Sequence, residues 1–313
     1  MKTEINWWEL DKNEIFLLDK ESCDFILTRI KERHKNINKF RNKLNIGREI
    51  YQSIIYKNQG INNWHLQTIL SNIDFNFSDF NNKIIGIGKY KSGSFTFPVV
   101  LLPQWSCLLA HSFFDGYADK YIMRYANYDG YNRKEFETLI EKIFGDKLYF
   151  NSPENFRRDI NLPSIVPRLL MKFFDVKSFY SRECRIPKSL YELTKIDKLY
   201  GFYFLKGAYI DEGSVSGGQI WIVRGIVNKP LAKDIMKLCN ILGIDTRLKL
   251  SSKFFGGYSV GVKKESFDMF FDNLKLLFWN KNKKLLKLEE FMVRHRTPLE
   301  RDNSGRFLKR DTK

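Results

Sequence analysis

The sequence lacks long apolar runs and has no clustered cysteines or histidines. No stretch reaches the roughly 18 uninterrupted apolar residues that a membrane-spanning helix needs, and the opening segment, MKTEINWWELDKNEIF, is too polar and acidic for a secretory signal. The four cysteines and four histidines are scattered, and no two cysteines form a CxxC pair. A membrane span, a disulfide framework and a structural zinc site are therefore not expected. We expect a reduced, intracellular protein, either cytoplasmic and nucleoid-associated or organellar, and not secreted.

Acidic residues are also in deficit. The 313-residue chain has 36 Asp and Glu against 53 Lys and Arg, which gives a formal net charge of +17 and a pI near 9.5. A chain this basic most often binds nucleic acid, and an anionic membrane surface is the lesser alternative. The membrane alternative has little support, because no segment pairs a basic face with a strong apolar one. The remaining interpretation is that the charge serves solubility alone.

Residues 1–95 differ in pattern from the rest of the chain. Apolar residues recur at helical spacing in the first part, and short helical pieces broken at glycines follow. Short helices around a glycine-containing turn are typical of a helix-turn-helix, in which the segment bearing Arg48, Gln52 and Lys57 would enter a DNA major groove. The alternative is a small helical bundle whose polar face is only solvated. We predict a mostly helical, helix-turn-helix-like DNA-binding domain over 1–95.

An internal repeat follows, in which each copy has the order helix, two strands, helix, two strands, helix. In the second copy, TRLKLSS (246–252) and GYSVGVKK (257–264) alternate apolar with basic or polar residues, which is typical of a sheet packed on one face only. The pattern predicts an α+β fold in which two pseudo-symmetric αββαββα units form a saddle with a polar outer face. The predicted domains are the helical region over 1–95, a first unit over 96–195, a second unit over 196–292 and a basic tail over 293–313.

Each copy begins with an apolar helix that ends in an acid followed by glycine. The two segments are CLLAHSFFDGYA and YFLKGAYIDEGSV. The small residues Ala110 and Gly207 would let the two helices approach closely. Parallel helices that end together would then place Asp115 and Glu212, which are 97 positions apart, side by side.

Both segments resemble the paired motifs of LAGLIDADG homing endonucleases, in which a leucine, a small residue two positions later and an acid–glycine pair recur. The second copy matches with Leu205, Gly207, Glu212 and Gly213. The first copy departs once, with Ala110 where glycine is usual. Its other matching residues are Leu108, Asp115 and Gly116. The resemblance covers roughly residues 100 to 292 and leaves the N-terminal region outside.

The resemblance implies a site-specific homing-type endonuclease that hydrolyses both strands of double-stranded DNA at a long target site, with one acid for each strand. Two close carboxylates repel each other and need a cation, and oxygen ligands of this kind suit Mg²⁺, for which Mn²⁺ can substitute. The implied metal-site residues are Asp115, Gly116, Glu212 and Gly213. Both motifs lie in one chain, which implies a monomer.

The same resemblance implies a lysine after the last helix of each unit, where it would activate water or stabilise the transition state. The candidates are Lys177 and Lys281, and Lys283 is placed equally well. Of the other polar residues in the motifs, Asp211 is expected to cap the turn after its helix and His111 to be a packing residue.

Base readout is expected from the polar faces of the two sheets. Arginine can pair with guanine edges and asparagine or glutamine with adenine, while other basic residues contact phosphate without reading sequence. The candidates are Arg124 and Asn127 in the first copy and Gln219, Arg224, Arg247, Lys249 and Lys263 in the second.

A non-cleaving function is the main alternative, either a DNA-binding transcriptional regulator or an intron-splicing helper on the same fold. The departure at Ala110 and the extra N-terminal region favour it, whereas the retention of both acids favours cleavage. A third interpretation, in which both motifs are ordinary core helices, leaves the two acid–glycine ends, the repeat and the net charge of +17 unexplained together.

Overall fold

The structure is a computed structural model. It describes residues 2–34, 36–48, 52, 60–87, 90–91, 96–145, 150–151, 159–250 and 257–297. Among these residues, no helix is both long enough and apolar enough to cross a membrane.

The two predicted repeats are present as two αββαββα units, which confirms the α+β fold. The first unit consists of α4 (Gln104–Phe113), β7 (Gly116–Ala118), β8 (Met123–Ala126), α5 (Gly130–Phe144), β9 (Phe150–Asn151), β10 (Asp159–Leu162) and α6 (Ile165–Phe174). The second consists of α8 (Lys198–Glu212), β11 (Ser214–Ser216), β12 (Gln219–Ile226), α9 (Lys229–Leu242), β13 (Thr246–Leu250), β14 (Tyr258–Val262) and α10 (Phe267–Lys275). Both sheets are antiparallel with the same strand order, β7-β8-β10-β9 and β11-β12-β14-β13.

Two further helices flank the second unit. The helix α7 (Lys188–Ile196) joins the units, and α11 (Lys283–Arg296) follows α10. The predicted boundary at residue 292 therefore falls inside α11, and the part of the predicted basic tail beyond residue 297 lies outside the described residues.

Helix ends in the repeats follow local sequence signals. The Asn228 side chain accepts a hydrogen bond from the Leu231 N–H at the start of α9, where Pro230 occupies the first turn. The helix stops at Gly243, whose φ of 82° lies in the left-handed region that glycine adopts readily. The first unit has the same two signals, because α5 begins after the capping residue Asp129 and stops at Gly145, whose φ is 74°.

The N-terminal region contains a four-stranded antiparallel sheet that the sequence did not predict. The helices of the region include α1 (Lys20–His34), α2 (Ile37–Lys43) and α3 (Asn63–Asn72). The strands of the sheet, in the spatial order β3-β2-β4-β5, are β2 (Ile15–Leu18), β3 (Ile61–Asn62), β4 (Ile84–Ile87) and β5 (Tyr90–Lys91). Trp7 and Phe16 are fully buried in its core, with ring centroids 5.8 Å apart. The prediction for this region was a mostly helical domain, and it did not include the sheet.

The proposed groove-reading segment is only partly described. Arg48 and Gln52 are helical, with Arg48 exposed and Gln52 partly buried, and Lys57 lies outside the described residues.

The N-terminal region is attached to the first unit by backbone and side-chain contacts. Its first strand, β1 (Glu4–Ile5), pairs with β6 (Val99–Val100), which directly precedes the first unit. The buried Glu14 carboxylate accepts a hydrogen bond from Arg168 on α6. The region is thus packed on the first unit through a strand pair and a partly buried ion pair.

Candidate active site

The two motif helices, α4 and α8, meet where their side chains are smallest. A methyl group added at Gly207 would lie 2.8 Å from the Cβ of Ala110 and 2.8 Å from the carbonyl oxygen of Cys107. Ordinary carbon–carbon contacts lie near 3.5–4.0 Å, so the two backbones are closer than a larger residue would permit. The close approach places the carboxyl ends of both helices in the same region.

A glycine follows the end of each motif helix, Gly116 three residues after α4 and Gly213 directly after α8, where the chain folds back on the last turn. A Cβ at Gly116 would collide with the carbonyl oxygen of His111, and one at Gly213 with the ring of Tyr209. The strands β7 and β11 begin immediately afterwards. The glycines of the acid–glycine pairs therefore have a steric reason, and each acid is left at a sharp exit from its helix.

The two closing acids share one electrostatic environment. Burial raises the pKa of Asp115 to about 7, and the charges of Asp211 and Glu212 add to the increase, against the opposing charges of His111 and Lys284. Burial and then Asp211 raise the pKa of Glu212, which Lys284 lowers. The charge of Glu212 thus reaches Asp115, and both acids lie at partly buried positions where their ionised forms are disfavoured.

Asp211 forms a buried network that the sequence did not reveal. Its side chain is 0% exposed, and its carboxylate accepts hydrogen bonds from His111 Nδ1 at 2.9 Å, from Tyr125 Oη at 2.9 Å and from the Asp115 backbone N–H at 3.4 Å. Its partners all lie in the first unit, so the expectation that Asp211 caps its own turn was wrong. The sequence signal for this network was a pair of complementary polar residues, His111 and Asp211, in two mostly apolar helices.

The pKa of His111 is raised in this network, which favours its imidazolium form. Burial lowers its pKa, but the Asp211 carboxylate outweighs burial and the net result is a pKa of about 10. His111 is 1% exposed and also packs edge-on against Tyr125 and Phe136. It is therefore both the packing residue that was expected and one half of a buried ion pair.

The lysine beside the acids is Lys284, which was not predicted. Its ammonium donates to the carbonyl oxygens of Asp211 at 2.8 Å and Tyr209 at 3.4 Å, at the carboxyl end of α8. Burial lowers its pKa, while the carboxylates of Asp211, Asp115 and Glu212 act in the opposite direction.

The predicted lysines lie elsewhere on the surface. Lys177 is 80% exposed and pairs with Asp175 at 2.6 Å. Lys281 is exposed, and the alternative Lys283 pairs with Asp129 at 3.6 Å.

A second buried ion pair positions the segment that carries Lys284. Lys206 on α8 and Glu135 on α5 are 0% and 1% exposed, with Nζ and Oε1 2.7 Å apart. The Glu135 carboxylate also accepts the backbone N–H groups of Trp279 and Asn280 at 2.9 and 3.0 Å. The loop before α11 is therefore held on both units, and α11 begins from a defined place.

The polar face of the second sheet gathers three cations around one indole. Trp221 lies under the side chains of Arg224, Arg247 and Lys249, at 6.0, 5.8 and 6.0 Å from its ring. The strand β12 does not alternate, because register shifts interrupt its pairing between Trp221 and Ile226. Such bulges re-aim side chains, and this one returns Arg224 to the face that bears Trp221.

The side chains of two predicted DNA-reading residues form hydrogen bonds within the protein. The Asn127 amide donates to Asp115 Oδ2 at 2.7 Å, so Asn127 orients an acid. The Gln219 amide is buried and donates to the Ile220 and Val262 carbonyl oxygens, while its own oxygen accepts from Arg247. Their side-chain amides are therefore committed to protein partners.

Two further predicted readers, Arg124 and Lys263, differ in exposure. Arg124 lies on β8 between Tyr117 and Asn161 of the neighbouring strands and is partly buried. Lys263 is exposed at the end of β14.

The carboxylate oxygens of Asp115 and Glu212 suit a cation that also binds waters or substrate oxygens. Among the described residues, no three His, Cys, Asp or Glu side chains gather into a set that could hold a metal by themselves. Two partly buried carboxylates with raised pKa values are available, Asp115 and Glu212, and the charge of Glu212 contributes to the raised pKa of Asp115. Mg²⁺ is commonly bound through one or two carboxylates together with waters and substrate phosphates, so the residues present fit such an ion.

The chain is similar to solved structures of two kinds of LAGLIDADG protein. A structure of mesophilic variants of the homing endonuclease I-DmoI is 17% identical, with a TM-score of 0.41 over 57% of this chain and 98% of that chain. I-DmoI in complex with DNA and Ca is 17% identical, with a TM-score of 0.42 over 60% and 97%. Full-length DUF199/WhiA from Thermatoga maritima is 10% identical, with a TM-score of 0.41 over 63% and 61%. No family model and no curated protein matches the chain. At these identities and TM-scores the likenesses carry no argument about activity.

Proposed function

We propose that the protein is a divalent-metal-dependent DNA endonuclease that cuts both strands of a long double-stranded site as a monomer. The observation that carries the proposal is the convergence of Asp115 and Glu212 at the ends of two tightly crossed helices, one from each unit. Each acid has a raised pKa, caused by burial and by neighbouring carboxylates. Paired, partly buried carboxylates in this state are typical of sites that bind a cation.

Asp115 and Glu212 are the residues that would hold Mg²⁺ or Mn²⁺, with Gly116 and Gly213 beside them. When bound, such an ion polarises the scissile phosphate, lowers the pKa of an attacking water and stabilises the leaving oxygen. The chain's own residues supply orientation and charge. Asn127 holds the Asp115 carboxylate, and the Lys284 ammonium places positive charge beside both acids.

DNA is bound by the polar faces of the two sheets in this proposal. The cations around Trp221, together with Lys263, would contact phosphates or guanine edges, and Arg124 serves the first sheet. The exposed Arg48 would extend the contact to the N-terminal region, which also bears Gln52 and Lys57. The net charge of +17 supports a polyanionic partner.

A non-cleaving DNA-binding regulator or splicing helper is the second candidate, and one observation favours it. The imidazolium of His111 and the ammonium of Lys284 already act against the charges of the carboxylates. A site balanced by the protein's own cations needs a metal less than a bare pair of acids does.

Cleavage of a plasmid library separates the two candidates. Purified protein is incubated with Mg²⁺ or with EDTA beside the Glu212→Gln variant, and Lys177→Gln serves as a matched control at an exposed position. Metal-dependent cutting at one long site, kept by the control and lost in Glu212→Gln, is the expected result. Salt-sensitive binding without cutting, shared by all three proteins, would instead establish the regulator.

A further inference from the structure

The buried network around Asp211 crosses from the second motif to the acid of the first. Asp211 accepts the backbone N–H of Asp115, and the same carboxylate accepts the hydroxyl hydrogen of Tyr125. The Tyr125 oxygen in turn accepts from the Asn127 amide at 3.3 Å, and that amide also donates to Asp115 Oδ2 at 2.7 Å. Asp211 is therefore linked to both the backbone and the side chain of Asp115.

We propose that Asp211, in the second motif, is a positioning residue for Asp115 in the first. This proposal rests on the proposed endonuclease function. The hydroxyl of Tyr125 has one hydrogen, which it gives to Asp211, so its oxygen is left to receive the Asn127 amide. The direction of the amide, and with it the orientation of the Asp115 carboxylate, follows from the presence of Asp211.

The rest of the network is rigid enough for this role. Asp211, His111 and Tyr125 are all fully buried as side chains, and Tyr125 stacks on Phe136 with ring centroids 4.1 Å apart and an interplanar angle of 12°. The carboxylate oxygens of Asp211 face only donors, from His111, Tyr125 and the Asp115 backbone. An amide in its place would turn an N–H group toward one of them.

The residue that precedes each acid differs between the two motifs. In the motif alignment, the residue before Glu212 is Asp211, whereas the residue before Asp115 is Phe114, whose side chain has no hydrogen-bond acceptor. Loss of Asp211 should therefore impair the strand served by Asp115 more than the strand served by Glu212. A role in folding alone would weaken cutting of both strands to the same extent.

The test is strand-specific nicking of a target labelled separately on each strand. Asp115→Asn and Glu212→Gln first identify which strand depends on which acid. Tyr125→Phe, which keeps the ring and its stacking, should slow the Asp115-dependent strand about 10-fold, and Asp211→Asn about 100-fold, in line with the effect of residues that orient metal ligands. The matched control is Tyr200→Phe, which removes a comparable hydrogen bond, to the Leu101 carbonyl oxygen, near the other end of α8. It should leave the ratio of the two strands unchanged.

Mn²⁺ binding, followed by electron paramagnetic resonance of the free ion, provides a readout that does not depend on cutting. Tyr125→Phe and Asp211→Asn should weaken Mn²⁺ binding about 10-fold or more, while Tyr200→Phe binds like the unmodified protein. If the unmodified protein binds Mn²⁺ but cuts nothing, the endonuclease proposal fails and the positioning role is judged on Mn²⁺ affinity alone. Equal slowing of both strands, unchanged Mn²⁺ affinity in the variants, or no Mn²⁺ binding by any protein would overturn the positioning role.

Discussion

The crossing of α4 and α8 makes a quantitative prediction for Gly207→Ala. The added methyl group would lie 2.8 Å from Ala110 Cβ and from the Cys107 carbonyl oxygen, about 1 Å inside ordinary contact. Overpacking of this kind costs about 1–3 kcal/mol. Alanine is a better helix former than glycine by about 1 kcal/mol, which offsets part of the loss. Because one of the obstructing atoms is a backbone oxygen, we expect a net loss of about 1–2 kcal/mol in the free energy of unfolding.

The change should also disturb the site, since both acids follow the crossing point by only a few residues. Separation of the helices by about 1 Å would displace Asp115 relative to Glu212, and a misplacement of this size can lower a rate about 100-fold. Binding of DNA at low salt should change little, because the sheet faces are not part of the crossing.

The assay is urea unfolding followed by circular dichroism, with cleavage measured on the same samples. The control is Gly130→Ala, at the exposed first residue of α5, where an added methyl group meets nothing within 4 Å. Gly130→Ala should be as stable as the unmodified protein or slightly more stable. If Gly207→Ala behaves in the same way as this control, the helices do not meet at Gly207 and the account of the site is wrong.

Three further predictions address the metal, the lysine and DNA binding. The folded-state pKa of Asp115 is raised to about 7, so ionisation of Asp115 removes stability as pH rises from about 4 towards 7. Mn²⁺ should therefore raise the Tm more at pH 8 than at pH 5. Equal increases at the two pH values, or a larger increase at pH 8 that persists in Asp115→Asn, would contradict this. Lys284→Met should slow cleavage about 10-fold to 100-fold, because Lys284 contacts the end of α8, while Lys281→Met should change the rate by no more than about 2-fold. A larger loss in Lys281→Met than in Lys284→Met would restore Lys281 as the candidate. Arg224→Gln and Arg247→Gln should each lower the slope of log affinity against log salt by about 1 in a filter-binding titration, and an unchanged slope would remove that residue from the DNA surface.

The repeated units were predictable because their signals are local and recur. Helix caps, glycine stops and alternating strands are legible within a few residues, and the second copy confirmed the order in the first. The N-terminal sheet had no such signal. Its strands are two to four residues long, and β2 pairs with β3 and β4 across more than 40 residues of sequence. Segments this short do not show the alternation that distinguishes a strand.

Within the site, the residues that sequence analysis found are those whose role is tied to spacing along one helix. Asp115 follows the end of α4, Glu212 is the last residue of α8, and Ala110 and Gly207 mark the crossing. Lys284 was missed because its position depends on where α11 begins, which is set by contacts of the preceding loop with Glu135 on α5. That contact joins residues about 145 positions apart, and neither segment has a local sequence pattern that predicts it.

The buried pair of His111 and Asp211 also affects which of the motif helices pack against each other. In the alignment of the motifs, His111 corresponds to Ala208 and Asp211 to Phe114, so each helix contributes only one half of the ion pair. Two copies of α4 paired with each other would bury two histidines without a carboxylate partner, and two copies of α8 would bury two carboxyl groups without a cation. An unpaired buried charge costs several kcal/mol, since breaking a buried pair by removing one partner typically destabilises by about 3–5 kcal/mol. The pair therefore favours α4 against α8 over either self-pairing, and both helices are present in one chain. This preference supports the proposal that the protein acts as a monomer, with unlike surroundings for its two acids.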